Sequence, residues 1–360
     1  MPTKLNYQNY PEFAGHQFVT EFKDAATGVT SYIAIHNSNL GPALGGTRLM
    51  HYAKNQDGLR DALKLSKAMT YKCAIAGLPF GGGKAVVMAD PTRKDIWEVL
   101  KFHALNVKSL QSKFYTGADV GLNAKFVEHL SQYCPYIIGT QKGAGDPSPY
   151  AGVSAFLCAQ AALKHLYGRT SSTGKTVIIK GAGKTGKKLA ELFYTDGATV
   201  FVADINPQAV KDLQKKFPGI KALDVKDIHN KKCDIYSPCA LSNDITEKNI
   251  GQIKAKIICG TANNQLAGDQ VADMLFSRGI LHIPDYVANA GGLINVANEL
   301  LPGGYQKPRM EQYLEKLKTT VSNILQQSHS QNLNTQKIAN AMAEQKFLQP
   351  KAAIQKIRQK

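Results

Sequence analysis

The stretch TVIIKGAGKTGKKLAELFYTDGATVFVAD, residues 176–204, decides the fold. Its β-branched opening, Thr176–Lys180, reads as a buried strand, and Lys184–Thr195 as a helix. Thr199–Ala203 is a second strand, closed by Asp204. Between the first strand and the helix stands Gly181-Ala-Gly183-Lys184-Thr185-Gly186, a GxGxxG turn in the context that turn requires. Gly181 permits the tight turn, Gly183 lets backbone N–H groups approach a pyrophosphate, and Gly186 lets helix and strand pack closely. Lys184 and Thr185 complete the cofactor-facing turn, and the helix N-terminus adds positive potential. Asp204 can accept both ribose hydroxyls and would repel a 2′-phosphate. No Arg follows it in FVADINPQ, so NAD is expected rather than NADP. A Gly-rich turn without a ligand is the alternative, and the flanking strands and helix argue against it.

Outward from this unit, Ser154–Tyr167 reads as a helix, and Ile235–Tyr236, Ile257–Cys259 and Leu281–Ile283 read as strands. Alternating helices and strands imply a mostly parallel sheet. Upstream, QKGAGDPSP (141–149) reads as a linker. Before it, Phe18–Phe22, Thr30–His36, Ala85–Ala89 and Phe114–Thr116 read as strands, and Gly58–Tyr71 and Asp95–Leu110 as helices. The expected architecture is α/β with two domains and a cleft between them. Residues 1–145 form a mixed α/β substrate and catalytic domain, and residues 146–325 a Rossmann-type dinucleotide-binding domain. The helical C-terminal stretch, about 326–360, is expected to pack back on the first domain or to bridge both.

The chain has 360 residues, 43% hydrophobic and 20% charged, which excludes a predominantly disordered protein. Its 44 Lys and Arg against 27 Asp and Glu give a net charge of +17. Nucleic-acid binding is one reading of that charge. However, the basic residues are spread along the chain without interleaved stacking aromatics, so no nucleic-acid partner is expected. The six cysteines form no CxxC pair and none has a His at zinc spacing, so no metal site is expected and reduced thiols in a cytoplasmic protein are. The N-terminus lacks a secretory apolar core, and no run is long and apolar enough to span a membrane.

Lys72 and Lys84 bracket the loop-like stretch CAIAGLPFGGG. Across so glycine-rich a segment both ammonium groups can enter one cleft, one pairing with a substrate carboxylate and one serving as general base. Asp119, just past a strand end, is the natural proton shuttle beside them. Taken alone, such a lysine pair is as readily a solvated face.

Further stretches lie in order from about residue 16 to about 345: GPALGGTR (41–48), MTYKCAIAGLPFGGGK (69–84), GADVG (117–121), GDPSP (145–149), CDIYSPCAL (233–241), GTANNQL (260–266) and PDYVANAGGLINVANEL (284–300). Together with the glycine turn they resemble the Glu/Leu/Phe/Val amino-acid dehydrogenase family, and within it the leucine-type members. The resemblance implies that Lys72 grips the substrate carboxylate, that Lys84 is the general base, and that Asp119 exchanges protons with the substrate amine. It implies that Gly45 and Gly46 line the substrate backbone and that Asn289 touches substrate and nicotinamide. Asn263, Cys239 and Ala240 would lie by the cofactor, and Asp204 would hold the adenine ribose. Leu44 suits a leucine-type pocket, although an ordinary core role is also open.

The expected reaction is reversible NAD-dependent oxidative deamination of a branched-chain L-amino acid to its 2-oxo acid and ammonia, by a homo-oligomer. A phenylalanine- or valine-preferring enzyme, or an impaired NAD-binding paralogue, is the alternative. A 2-hydroxy-acid dehydrogenase would want a His–carboxylate base and a substrate Arg in place of these lysines. Three positions depart from the family pattern. Ala151 replaces a Thr near the nicotinamide, with Ser154 a candidate substitute. Gly117 replaces an Ala and is expected to widen the pocket. Asn298 replaces an Asp.

Overall fold

The computed structural model describes residues 6–240 and 242–348. The described residues form two compact units: 6–146, 296–306 and 343–348 in the first, and 147–295 with 307–342 in the second.

The first unit comprises β1 (Phe18–Lys23), β2 (Thr30–Asn37), β3 (Ala43–Leu49), α1 (Asn55–Ile75), β4 (Gly81–Val87), α2 (Ile96–Ser109), β5 (Phe114–Ala118) and α3 (Ala124–Ser131). Its five-stranded sheet has the order β1-β2-β4-β3-β5. β1 and β4 run antiparallel to β2, while β3 runs parallel to both β4 and β5. Every residue of β2 is buried, because helices cover both sheet faces. The two-residue period sends Tyr32 and Ala34 toward α1, with Leu59, Leu63 and Val86. It sends Ile33 and Ile35 to the opposite core, with Val99, Leu100, Phe126 and Leu130. In the second of these cores His103 joins the sheet by polar bonds, its ring nitrogens 3.0 Å from Ser31 Oγ and 3.0 Å from Thr47 Oγ1.

Two features differ from the sequence expectation. β3 has no counterpart in the sequence reading, since its Gly45-Gly46 pair interrupts the run of β-branched and aromatic residues that marks a strand. Gly81–Gly83, expected in a loop, are the first residues of β4. Both differences have one cause, which is close packing. A Cβ on Gly45 would overlap the Gly83 carbonyl oxygen, and a Cβ on Gly82 would overlap the backbone nitrogen of Thr70 on α1.

The second unit comprises α4 (Ser148–Tyr167), β6 (Thr176–Lys180), α5 (Lys184–Thr195), β7 (Thr199–Ala203), α6 (Pro207–Lys216), β8 (Lys221–Ala222), β9 (Cys233–Pro238), β10 (Ala255–Ile258), α7 (Asp269–Ser277), β11 (Leu281–His282) and α8 (Asp285–Ala288). α9 (Gly291–Asn298) begins in this unit and ends in the first. α10 (Lys307–Gln331) belongs to the second, and α11 (Thr335–Leu348) leaves it after residue 342. The six-stranded sheet is parallel throughout, in the order β11-β10-β9-β6-β7-β8. The direction of winding reverses between β6 and β9, the position at which open parallel sheets form a crevice at the strand C-termini.

The chain returns to the first unit later than the expected residue 326. Residues 326–342 stay with the second unit, and contact with α1 starts at Ala343, which packs with Phe347 on Ala74. Tyr71 donates a hydrogen bond to Glu344 Oε1 (2.6 Å), and Lys346 Nζ to the Ala74 carbonyl (3.0 Å). The remainder of the expected C-terminal segment, 349–360, lies outside the described residues. The short return over 296–306 has no counterpart in the sequence reading. All six cysteines are unpaired, and no helix among the described residues is long and apolar enough to cross a membrane.

Candidate active site

In the first unit, β3, β4, β5 and α1 bring the expected catalytic residues to one sheet end. Lys84 is the fourth residue of β4, and Asp119 follows β5 directly. The Lys84 ammonium forms an ion pair with Asp119 Oδ2, and both side chains are largely enclosed, at 7% and 17% exposed. Arg48 Nε stands 3.4 Å from the same oxygen. Burial alone would raise the Asp119 carboxyl, but the Lys84 and Arg48 charges outweigh it and hold it down at about 2. Asp119 is therefore a carboxylate at any working pH. Gly46 makes room for it, since a Cβ there would stand 2.8 Å from the Asp119 Cβ.

Lys72 lies in the last turn of α1, half-buried. Met69 and Thr70 on the same helix lean over Gly45 and Gly82, so α1 rests directly on β3 and β4 where the glycines lack side chains. Leu44 is fully enclosed, with 0% of its surface exposed.

In the second unit, the expected cofactor residues of the glycine turn, Asp204, Cys239, Ala240 and Asn263 follow the C-terminal ends of β6, β7, β9 and β10, and Asn289 follows α8. Gly181 follows β6 with φ +107°, a conformation open to glycine, and its missing Cβ faces the Cys239 carbonyl 2.8 Å away. A Cβ on Gly186 would overlap the Gly181 carbonyl oxygen. Around Gly183, by contrast, no protein atom lies within 4 Å of where a Cβ would stand, so the turn is open on the side a pyrophosphate would approach. Lys184 and Thr185 open α5, and Thr261 Oγ1 donates to Thr185 Oγ1 (2.8 Å). Cys239 and Ala240 follow β9, where Cys239 N bonds the Lys180 carbonyl (2.7 Å). Asp204 accepts from Ala182 N (2.6 Å) and Asn206 N (2.7 Å), one bond to each oxygen. Each oxygen retains a lone pair for a ribose hydroxyl.

Asn289 Nδ2 donates to the Thr261 carbonyl (3.1 Å) and to Asn263 Oδ1 (2.7 Å), while its buried Oδ1 has no partner. An orphaned buried acceptor is costly unless a ligand satisfies it. The open turn over Gly183, the oriented Asp204 and this Asn289 oxygen fit a dinucleotide. No group of three or more His, Cys, Asp or Glu residues that could hold a metal occurs among the described residues.

The three departures resolve differently. Ser154 does not stand in for the absent Thr as a donor, because its one proton is committed to Ala288 O (2.7 Å), with Ala151 O at 3.1 Å, and its oxygen accepts from Gly291 N (2.9 Å). Gly117 does not widen a pocket. Its missing Cβ faces the Ile138 carbonyl, 2.7 Å away, where that segment pairs with β5. Asn298 donates from Nδ2 to the Gln306 carbonyl (2.7 Å), a bond that a carboxylate could not make.

Sequence reasoning missed Arg48 and Thr261. Arg48 stands in the quoted GGTR, but its orientation depends on β3, which was not legible. Thr261 carries no motif signal beyond its place in GTANNQL.

Comparison with known proteins defines the class. Residues 16–136 match the Glu/Leu/Phe/Val dehydrogenase dimerisation domain, and residues 143–353 the Glutamate/Leucine/Phenylalanine/Valine dehydrogenase domain. The chain belongs to the Glu/Leu/Phe/Val dehydrogenase family of amino-acid dehydrogenases, whose members use pyridine nucleotides. It is 37% identical to the leucine dehydrogenase of Geobacillus stearothermophilus over 343 residues, 94% of this chain and 92% of that one. It is 36% identical to the phenylalanine dehydrogenase of Caldalkalibacillus thermarum over 352 residues, 96% and 94% of the two chains. Among solved structures, the L-tryptophan dehydrogenase of Nostoc punctiforme aligns with TM-score 0.80 at 34% identity, covering 92% of this chain and 95% of that one.

Proposed function

We propose that this protein catalyses the reversible, NAD-dependent oxidative deamination of a branched-chain L-amino acid of leucine type, giving the 2-oxo acid and ammonia. The observation that carries this reading is the enclosed Lys84–Asp119 ion pair beside the glycine-floored strands β3 and β4. Lys72 binds the substrate carboxylate, and Gly45 and Gly46 admit its backbone. Asp119 holds the protons of the substrate amine. A dinucleotide held by the Gly181–Gly186 turn and Asp204 would supply the acceptor for the α-hydrogen as hydride, so that the substrate amine becomes an iminium. Lys84 first gives up the proton it carries in the ion pair; uncharged, it takes a proton from the water that adds to this iminium, returns it to the amine nitrogen, and takes up the carbinolamine hydroxyl proton as the carbonyl forms and ammonia departs. Asn289, with its unpaired Oδ1, contacts substrate and nicotinamide, and Leu44 backs the pocket.

NAD is favoured over NADP because Asp204 presents a carboxylate to the ribose edge with no Arg beside it. The leucine preference rests on GPALGG, which offers no charged side chain to a dicarboxylic substrate. A phenylalanine- or valine-preferring enzyme is the second reading, since a relative of equal similarity is a phenylalanine dehydrogenase and methylene-scale discrimination is worth only about 1–3 kcal/mol. The match to a dimerisation domain supports a homo-oligomer. Six unpaired thiols suit the reducing cytoplasm. The test is NADH formation from purified protein with NAD and a panel of L-amino acids. Turnover greatest with leucine, isoleucine or valine supports the proposal. No turnover with any branched-chain or aromatic amino acid overturns it.

A further inference from the structure

Asp119 is flanked by two cations, and only Lys84 has a place in the chemistry proposed above. The second, Arg48, is held from behind. Its Nη1 donates to Asp61 Oδ2 on α1 (2.8 Å), and the Tyr52 hydroxyl donates to the same oxygen (2.7 Å). The guanidinium thus lies between two carboxylates, hydrogen-bonded to Asp61 through Nη1 and ion-paired to Asp119 through Nε without hydrogen-bond geometry. Strand register explains why it can do so. Arg48 pairs with Val86, two residues along β4 from Lys84, so Arg48 and Lys84 project from the same, α1-covered face of the sheet.

We propose that Arg48 is a positioning residue for the deamination: clamped by Asp61 and Tyr52, it fixes the Asp119 carboxylate in the orientation that receives the substrate amine. This rests on the catalytic reading of Lys84 and Asp119. Four groups therefore set the state of Asp119: Lys84 from β4, Arg48 from β3, and Asp61 and Tyr52 behind Arg48. They form an alternating chain of charges, Lys84, Asp119, Arg48 and Asp61. With Arg48 removed, Lys84, the group it must share with the reaction, is the one cation left beside the carboxylate, and the Val120 amide alone opposes a swing toward it. A guanidinium suits the task because its fixed fork reaches both carboxylates at once.

The experiment compares the parent, Arg48→Met, Arg48→Lys, Asp119→Asn and the Arg48→Met/Asp119→Asn double variant. Steady-state rates are taken with L-leucine and NAD, alongside NADH affinity by fluorescence and melting temperature. The expected result is a kcat loss of about tenfold or more in Arg48→Met with KM changed less than about threefold, as for a group acting through proton transfer. Arg48→Lys should recover most of that loss. In the Asp119→Asn background Arg48→Met should cost less than about twofold, since the residue it serves is already disabled. Three results overturn the proposal: kcat within about twofold of the parent in Arg48→Met, losses that multiply in the double variant, or no recovery in Arg48→Lys. If Arg48→Met fails to fold, Asp61→Asn replaces it, and a kcat loss that vanishes beside Asp119→Asn is again required. No turnover by the parent overturns the deamination reading itself, and the proposal with it. Turnover by the parent that Asp119→Asn impairs, and that Arg48→Met leaves unchanged, sinks only the role of Arg48.

Discussion

Replacing Gly82 by Ala tests how α1 is seated, and with it how Lys72 reaches the substrate. A Cβ on Gly82 would overlap the backbone nitrogen and the Oγ1 of Thr70, with the Thr70 Cα 2.5 Å away. Backbone cannot swing aside as a side-chain tip can, so the helix must lift off β4. Overpacking of this kind costs about 1–3 kcal/mol, and a backbone clash belongs near the top of that range. For a unit of this size about 2–3 kcal/mol corresponds to a melting shift of about 4–12 °C. Because Lys72 sits two residues past Thr70 on the same helix, KM for the amino acid should rise severalfold, while NADH affinity, a property of the second unit, should not change. Gly77→Ala is the control. Gly77 has φ +71° and nothing within 4 Å of its Cβ position, so its cost is backbone strain alone, about 1–2 kcal/mol. Asn at Gly77 should recover part of that loss, whereas no residue larger than Gly should rescue position 82. Differential scanning calorimetry and steady-state kinetics read both effects. A Gly82→Ala protein that melts within about 1 °C of the parent with unchanged KM would refute the packing argument.

Further outcomes follow from the same geometry. Lys84→Ala should cut kcat severely with NADH affinity intact, and loss of dinucleotide binding instead would contradict its assigned role. Lys72→Ala should chiefly raise KM for the amino acid, and an unchanged KM would count against the carboxylate contact. Asp204→Ala should weaken NAD binding and raise the relative use of NADP. It should also loosen the turn, since Asp204 anchors the Ala182 amide, and an unchanged NAD-to-NADP ratio would overturn its ribose role. Burial lowers His36, His103 and His282 to about 4. The unfolded chain binds these protons near pH 6.5, so the stability they contribute is complete above that pH and is lost as pH falls toward 4. Each contributes on the order of 3 kcal/mol across that window. Urea midpoints should therefore fall steeply between pH 6.5 and 4, and His103→Gln should flatten that slope; an unaltered slope would sink the assignment.

The dinucleotide unit was readable because its signals are local. A strand, a glycine turn, a helix and a closing Asp204 follow one another within a single segment, and each residue acts on its near neighbours. Lys72, Lys84 and Asp119 stood out as candidates through their motifs. Their mutual arrangement was not readable, because Lys84 and Asp119 meet only when β4 and β5 flank β3, a strand whose glycine pair interrupts the strand pattern. Arg48 went unassigned for the same reason, since the direction of its side chain is a consequence of strand register. Gly117 misled in the opposite way: a missing methyl reads as extra pocket volume, yet the space it vacates is taken by the Ile138 carbonyl.

By itself, then, the sequence determined the fold class, the family and the strand–glycine turn–helix over residues 176–195, and it singled out two lysines and an aspartate as candidates for the chemistry. These follow from periodicity and from residue types that allow few alternatives at fixed spacing. Only the tertiary structure decided the strand order β1-β2-β4-β3-β5 and the late return of the chain at Ala343. It alone decided that the Ser154 proton is already committed, and that Asp119 is held between Lys84 and Arg48. Each of these depends on contacts between segments far apart in the chain. Such contacts are selected by which surfaces can be buried together, and no local window of sequence contains both partners.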